Sequence, residues 1–182
     1  MIRMETASTV IPAGLRELID EVGGGENGFG GTTVHTGECT LEQYVQQCCD
    51  LTDPAKLRPG IVPQTTFWAL DDDGVVVGMV RLRHYLNNRL RVHGGHIGYF
   101  VRREKRGKGY GKEMLRLALM ELRRLGERRA LISVVPGNQV SIRVIVANGG
   151  RFSEESIDPD SGQKYLLYWI ELESQQGGGH VQ

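Results

Sequence analysis

Hydrophobic positions along the chain follow two spacings, and the switches between them mark the elements. Leu15, Leu18, Ile19 and Val22 recur at three and four residues, predicting an amphipathic helix in "IPAGLRELIDEV" after a short strand in "MIRMETA". Pro12 stands near that helix start, and the glycine-rich "GGGENGFGG" (23–31) reads as a flexible break. Thr40 is placed to cap "LEQYVQQCCDL", with Gln43 completing a capping box, so a second helix is expected to end near Asp50. The three prolines of "TDPAKLRPGIVPQ" then predict an irregular connection.

Strand spacing takes over at Thr65. Runs over 65–70 and 75–84 flank the turn-forming "DDDG" and predict a β-hairpin. After the basic segment "NNRLRVHGG", a third apolar run, "HIGYFVR" (96–102), is also strand-like. Met114, Leu115, Ala118, Leu122 and Leu125 return to helical spacing, so a helix is expected over 110–125 with Gly126 as its stop. "RALISVV" predicts a buried strand, and "NQVSIRVIVANGG" a helix ending in glycines. "RFSEESI" and "QKYLLYWIEL" predict a closing strand pair. This order of elements implies an α/β (α+β) single domain, expected over 1–174, with a mixed central sheet of about six to seven strands and flanking helices. The residues 175–182 are expected to be a disordered tail.

Charge adds where, not how much. The 22 basic and 22 acidic residues cancel, which gives no warrant for a general nucleic-acid or membrane-surface role. Residues 61–150 nevertheless hold 16 Lys/Arg against 7 Asp/Glu, whereas residues 1–60 hold 4 against 9. Cys39, Cys48 and Cys49 form no disulfide framework, no metal-type spacing appears, and no signal peptide or spanning segment is evident. A cytoplasmic protein without a metal site is the expectation.

The excess of positive charge centres on "RREKRGKGYGKEML". A strand leading through a glycine loop into a helix favours an anion, because unpaired N–H groups and the positive end of the helix dipole point the same way. A solvated basic turn is the simpler alternative. The spacing fails the P-loop pattern, since Glu113 follows Lys112, and fails the dinucleotide fingerprint, since the glycines run Gly107, Gly109, Gly111.

Arg106, Gly109 and Gly111 do fit R/Q-x-x-G-x-G/A, and the segment resembles that signature of the GCN5-related N-acetyltransferases. "NQVSIRVIVANGGRF" is similar to the second acetyl-CoA segment of that family through Asn138, Ser141, Asn148, Gly149, Gly150 and Phe152. The longer string from 65 to 119 also resembles an uncharacterised bacterial branch of predicted acetyltransferases. The resemblance implies a sheet splayed between its fourth and fifth strands. It also implies that Arg106, Gly107, Lys108, Gly109, Tyr110, Gly111 and Lys112 hold the pyrophosphate of acetyl-CoA. Phe100, Val101 and Arg102 would line the pantetheine arm, Phe100 and Arg102 through their backbone, with Asn138 and Ser141 beside it.

Acetyl transfer to an amine needs the amine neutral, a donor for the oxyanion and a proton for the leaving thiolate. His96, opening the expected fourth strand, is the first candidate base, His84 the second, and Ser141 a candidate proton relay. Many family members supply the thiolate's proton from a tyrosine seven residues after the motif asparagine. Here that position is Ile145, which keeps open an alternative: a non-catalytic acyl-CoA-binding or regulatory domain. The acceptor is expected to be a primary amine of a small molecule or peptide, and the acidic balance of residues 1–60 favours a cationic one. Homodimers are common in the family, which extends that expectation to this chain.

Overall fold

The computed structural model describes residues 1–172, so the expected tail at 175–182 lies outside the described residues. Strand β1 (Arg3–Thr6) pairs antiparallel with β4 (Gln64–Leu70), β4 with β5 (Val76–Arg83), and β5 with β6 (Ile97–Val101). The β4–β5 turn is set by Asp71, whose carboxylate accepts from the N–H groups of Asp73 and Val75. A second antiparallel sheet joins β7 (Arg129–Val134), β9 (Lys164–Glu171) and β8 (Arg151–Ile157), with β9 central. The seven long strands thus match the expected number, divided between β6 and β7, the fourth and fifth of them.

Helices cover both faces of the first sheet. Helix α1 (Leu15–Val22) and α2 (Leu41–Asp50) pack their apolar stripes on Trp68, Met79 and Phe100. The Thr40–Gln43 capping box at α2 is formed in both directions. On the opposite face, α4 (Tyr110–Arg124) buries Met114, Leu115, Ala118 and Leu122 against Phe67, Val80, Leu82 and Ile97. Each fully buried leucine or methionine among them stabilises the fold by about 1.5–3 kcal/mol. Helix α5 (Gln139–Ala147) joins this core through Ile145.

Two elements differ from the sequence expectation. The break at 23–31 holds a miniature hairpin, β2 (Gly25–Glu26) with β3 (Phe29–Gly30), and the basic segment holds the short helix α3 (Asn88–Val92), capped by Asn87. Gly25, at φ 99°, is left-handed and lies hard against the backbone of Phe29 and Gly31, a place only glycine can take. Such local geometry gives no hydrophobic period, so pattern reading passes over it.

Candidate active site

The two sheets meet at His96. Its N–H donates to the Leu131 carbonyl at 2.8 Å, and the Leu131 N–H donates to His96 Nδ1 at 2.9 Å. One histidine therefore supplies both halves of a strand pairing, and Gly95 at φ 58° makes the approach possible, because a side chain there would overlap the Leu131 carbonyl. Beyond this clasp β6 and β7 part, leaving a cleft of about 360 Å³ bounded by both strands, the 105–112 loop, α5 and the β2–β3 hairpin.

The β6 edge offers backbone to that cleft in a definite phase. Arg83 N–H donates to His96 O and Arg102 N–H to Val77 O, so strict alternation directs the amides of Gly98 and Phe100 to β5. The N–H and C=O groups of Tyr99 and Val101 then face outward. This corrects the expected phase, in which Phe100 and Arg102 present backbone: the Arg102 N–H is engaged by β5 and its carbonyl accepts from Lys105. The Arg102 side chain is also turned away, buried against Glu21, with Nε to Oε1 at 3.0 Å. Phe100 and Val101 both line the cleft.

At the loop, Gly107 and Gly109 adopt φ of 76° and 82°, and nothing lies within 4 Å of where a Cβ would stand. Gly109 is the N-cap of α4 with no side-chain cap, and the first helical bond runs from Glu113 N–H to Gly109 O. The amides of Tyr110, Gly111 and Lys112 are consequently left as donors toward the cleft. Gly111 faces β6, where an added Cβ would stand in ordinary contact, 3.6 Å from Val101 Cγ2. Lys108 is exposed and outside the cleft lining, while Lys112 lines it.

Much of the expected positive potential is internally neutralised. Arg106 bonds Glu26 and the Val101 carbonyl (Nε to O, 3.0 Å) and lies over the Phe100 ring; Arg103 also reaches Glu26, and Lys105 reaches Asp71 at 3.4 Å. Lys108 and Lys112 form no ion pair among the described residues. These features suit a polyphosphate with a slim extended arm: free helix amides, an open glycine cradle, a cationic side chain and an exposed strand edge.

Asn138 caps α5, its Oδ1 accepting from Ser141 N–H at 3.2 Å, and both line the cleft. Ser141 Oγ also accepts from the Tyr99 hydroxyl at 3.2 Å. Burial pushes the Tyr99 phenol up to about 12, so it keeps its proton across the neutral range. Two candidate bases do not reach the cleft lining. His96 is 2% exposed, and burial, with Arg91 and Arg83 nearby, pulls it down to about 4; Glu127 Oε2, 3.7 Å from Nε2, is beyond hydrogen-bond reach. His84 bonds Thr65 Oγ1 at 2.8 Å at the far end of β5, and burial lowers it too. Phe67 and Trp68 are core residues.

The structure adds cleft residues that pattern reading passed over, Glu26 and Phe29 of the hairpin and Arg81 and Arg83 of β5, and it brings to the cleft Tyr99, whose place in an apolar strand had favoured core packing over a substitute acid. The alternation Met79, Arg81, Arg83 on one face of a strand was a readable signal, since it carries charge where the next position inward is apolar. Among the described residues no group of three or more His, Cys, Asp or Glu side chains is arranged to hold a metal ion, and no helix is long and apolar enough to cross a membrane.

A sheet split beside a glycine loop that opens a helix is the architecture of an acyl-CoA-dependent transferase. The model of the Acetyltransferase (GNAT) family matches residues 38–149, more than half of the chain, and the chain belongs to that family. It is an acetyltransferase, with acetyl-CoA as the acetyl donor. Solved structures share the whole fold. Acetyl-CoA-bound yncA of Salmonella typhimurium superposes with a TM-score of 0.62 at 14% identity over 99% of both chains. The ribosomal-protein-S5-alanine acetyltransferase of Vibrio fischeri gives 0.67 at 16% identity, covering 95% of this chain and 93% of its own. The spermidine/spermine N-acetyltransferase SpeG of Vibrio cholerae gives 0.64 at 13%, covering 94% and 95%. No curated protein matches the chain by sequence.

Proposed function

We propose that the chain moves the acetyl group of acetyl-CoA directly onto a primary amine of a small molecule, with the donor lying along the cleft between β6 and β7. The observation that carries this reading is the continuity of open donors, from the α4 amides of Tyr110 to Lys112 to the outward backbone of Val101 and Tyr99. Phosphates bind at the first, and the arm pairs with the second as an added strand would. The amine nitrogen then attacks the thioester carbonyl, a C–N bond forms, the C–S bond breaks, and the proton lost by nitrogen balances the one gained by sulfur.

Tyr99 takes the part left empty by Ile145. Its hydroxyl meets Ser141, one helical turn before Ile145, at the cleft wall. A phenol near 12 is a weaker acid than a thiol near 8.5, so Tyr99, turning its one O–H from Ser141 to the sulfur, stabilises the departing thiolate as a hydrogen-bond donor, and the final proton arrives through water and Ser141. Among the described residues Glu26 is the single carboxylate lining the cleft, and its partners Arg103 and Arg106 hold it in ion pairs. The nearby Arg81 and Arg83 charges disfavour an ammonium, which favours entry of the acceptor as the neutral amine.

Thermal unfolding with and without acetyl-CoA, paired with a thiol-release assay over an amine panel, tests this. A ligand that binds only the native state raises the melting temperature by mass action. Gly109→Glu, which places an anion at the helix N-terminus, is expected to abolish the rise. Tyr99→Phe is expected to keep the rise and lose about tenfold in kcat, the worth of one hydrogen bond of about 1.4 kcal/mol. No rise at millimolar acetyl-CoA would discard the donor site.

A further inference from the structure

Arg81 and Arg83 stand on one face of β5 and line the cleft on the side of the β2–β3 hairpin, opposite the α4 loop. Arg81 is held in place completely: Nη1 donates to Gly30 O at 2.8 Å, Nη2 to Gly31 O at 3.1 Å and to the Tyr44 hydroxyl at 3.2 Å, and the guanidinium lies 4.4 Å from the Phe29 ring centroid. Arg83 is held by one edge, with Nη1 donating to Gly94 O at 2.9 Å. Its Nε and Nη2 bond no described residue. That free pair is the fork that matches a carboxylate with two parallel hydrogen bonds.

Neither arginine forms an ion pair with any described carboxylate. Burial and the Arg81 charge bring the Arg83 guanidinium down to about 10, the mark of a positive charge lacking a counterion. Of the nine acidic residues of the first sixty, which favoured a cationic acceptor, Glu26 alone lines the cleft, and it is held by Arg103 and Arg106; Glu21 holds Arg102 and Asp50 holds Lys56. The uncompensated charge on this side of the cleft is therefore positive, and a polycationic acceptor would be repelled from it.

We infer that the acceptor is a small amino acid, whose carboxylate docks on the free edge of Arg83 beside Arg81 while its amine faces the split strand edge. This rests on the acetyl-transfer reading above. The geometry limits the separation of the two groups. Arg83 Nη1 lies 3.8 Å from where a Gly98 side chain would begin, and Gly98 is next to Tyr99, one strand residue of about 3.4 Å along. An amine one to a few carbons from the carboxylate spans that distance. A protein lysine, with no carboxylate near its amine, does not meet the requirement.

The experiment compares thiol release with amino acids, their amides, the corresponding decarboxylated amines and spermidine. The expected result is at least a tenfold higher kcat/KM for one or more amino acids over the matched amide and amine. Arg83→Gln should erase that preference through KM for the acceptor, with KM for acetyl-CoA unchanged. Arg83→Lys, which can still reach Gly94 O but lacks the fork, should lose most of it too while keeping the acetyl-CoA-induced thermal shift, which controls for folding. Equal or better use of amides, amines or spermidine overturns the inference. If nothing is acetylated, the transfer reading fails separately, and calorimetry with N-acetyl amino acids against N-acetyl amino-acid amides in the presence of CoA decides the site. Arg83-dependent preference for the carboxylate supports it, and equal binding overturns it.

Discussion

A histidine at the mouth of a strand invites a catalytic role, and His96 shows how burial can remove it. Its Nδ1 is occupied by the Leu131 amide, and the imidazole stays neutral because protonation in a site with little water and two nearby arginines is costly. The same fact makes a stability prediction. The unfolded chain takes up a proton near 6.5, and the folded one only near 4. Stability is thus complete above about pH 6.5 and declines as pH falls toward 4, by up to about 3 kcal/mol. Denaturant titrations should show this slope in the wild type and its reduction in His96→Asn, whose side-chain oxygen can still accept from Leu131. His96→Ala, lacking the acceptor, should be the less stable of the two, with a buried N–H left unpaired at a cost of about 1–3 kcal/mol.

Helix α5 explains why the usual family tyrosine is absent. Ile145 is 1% exposed and packs into the core beneath the cleft, and Gly150 folds back on it so closely that any side chain at 150 would overlap Ile145 Cγ2. The "VANGG" ending is thus a helix stop and a packing surface: Gly149 is left-handed at φ 86°, and Asn148 Nδ2 ties α5 to the Lys112 carbonyl at 3.2 Å. Ile145→Tyr is expected to overpack this seam, costing about 1–3 kcal/mol with no gain in kcat. A faster, equally stable variant in thermal and kinetic assays would contradict the assignment of the donor role to Tyr99.

Across the whole molecule, charges cancel in number but separate in place, because Glu21 of α1, Glu26 of the hairpin and Asp71 of the β4–β5 turn pair with the basic loop and leave Lys112, Arg81 and Arg83 facing the cleft. Affinity for the polyanionic donor should therefore weaken several-fold between about 0.05 and 0.5 M salt, as screening shortens the reach of exposed charges. Calorimetric titrations across that range measure it, while unfolding of the free protein should change little. Most elements, the α2 capping box and the α4 anion loop were legible in the sequence because each depends on local period or on spacing within one turn. Arg81 and Arg83 were not recognised as site residues and Tyr99 read more readily as core, since only the splay of β6 from β7 exposes one strand edge, and only the register of β5 on β6 selects which amides face it. The sequence by itself determined the family and, with it, the donor, through a glycine loop and a second segment that are each encoded in contiguous residues. Tertiary structure decided that His96 clasps the sheets, that Tyr99 meets Ser141 at the cleft wall, and that the Arg81 and Arg83 side of the cleft is positive, because each depends on residues brought together from distant segments in a medium where an unpaired charge or amide is costly.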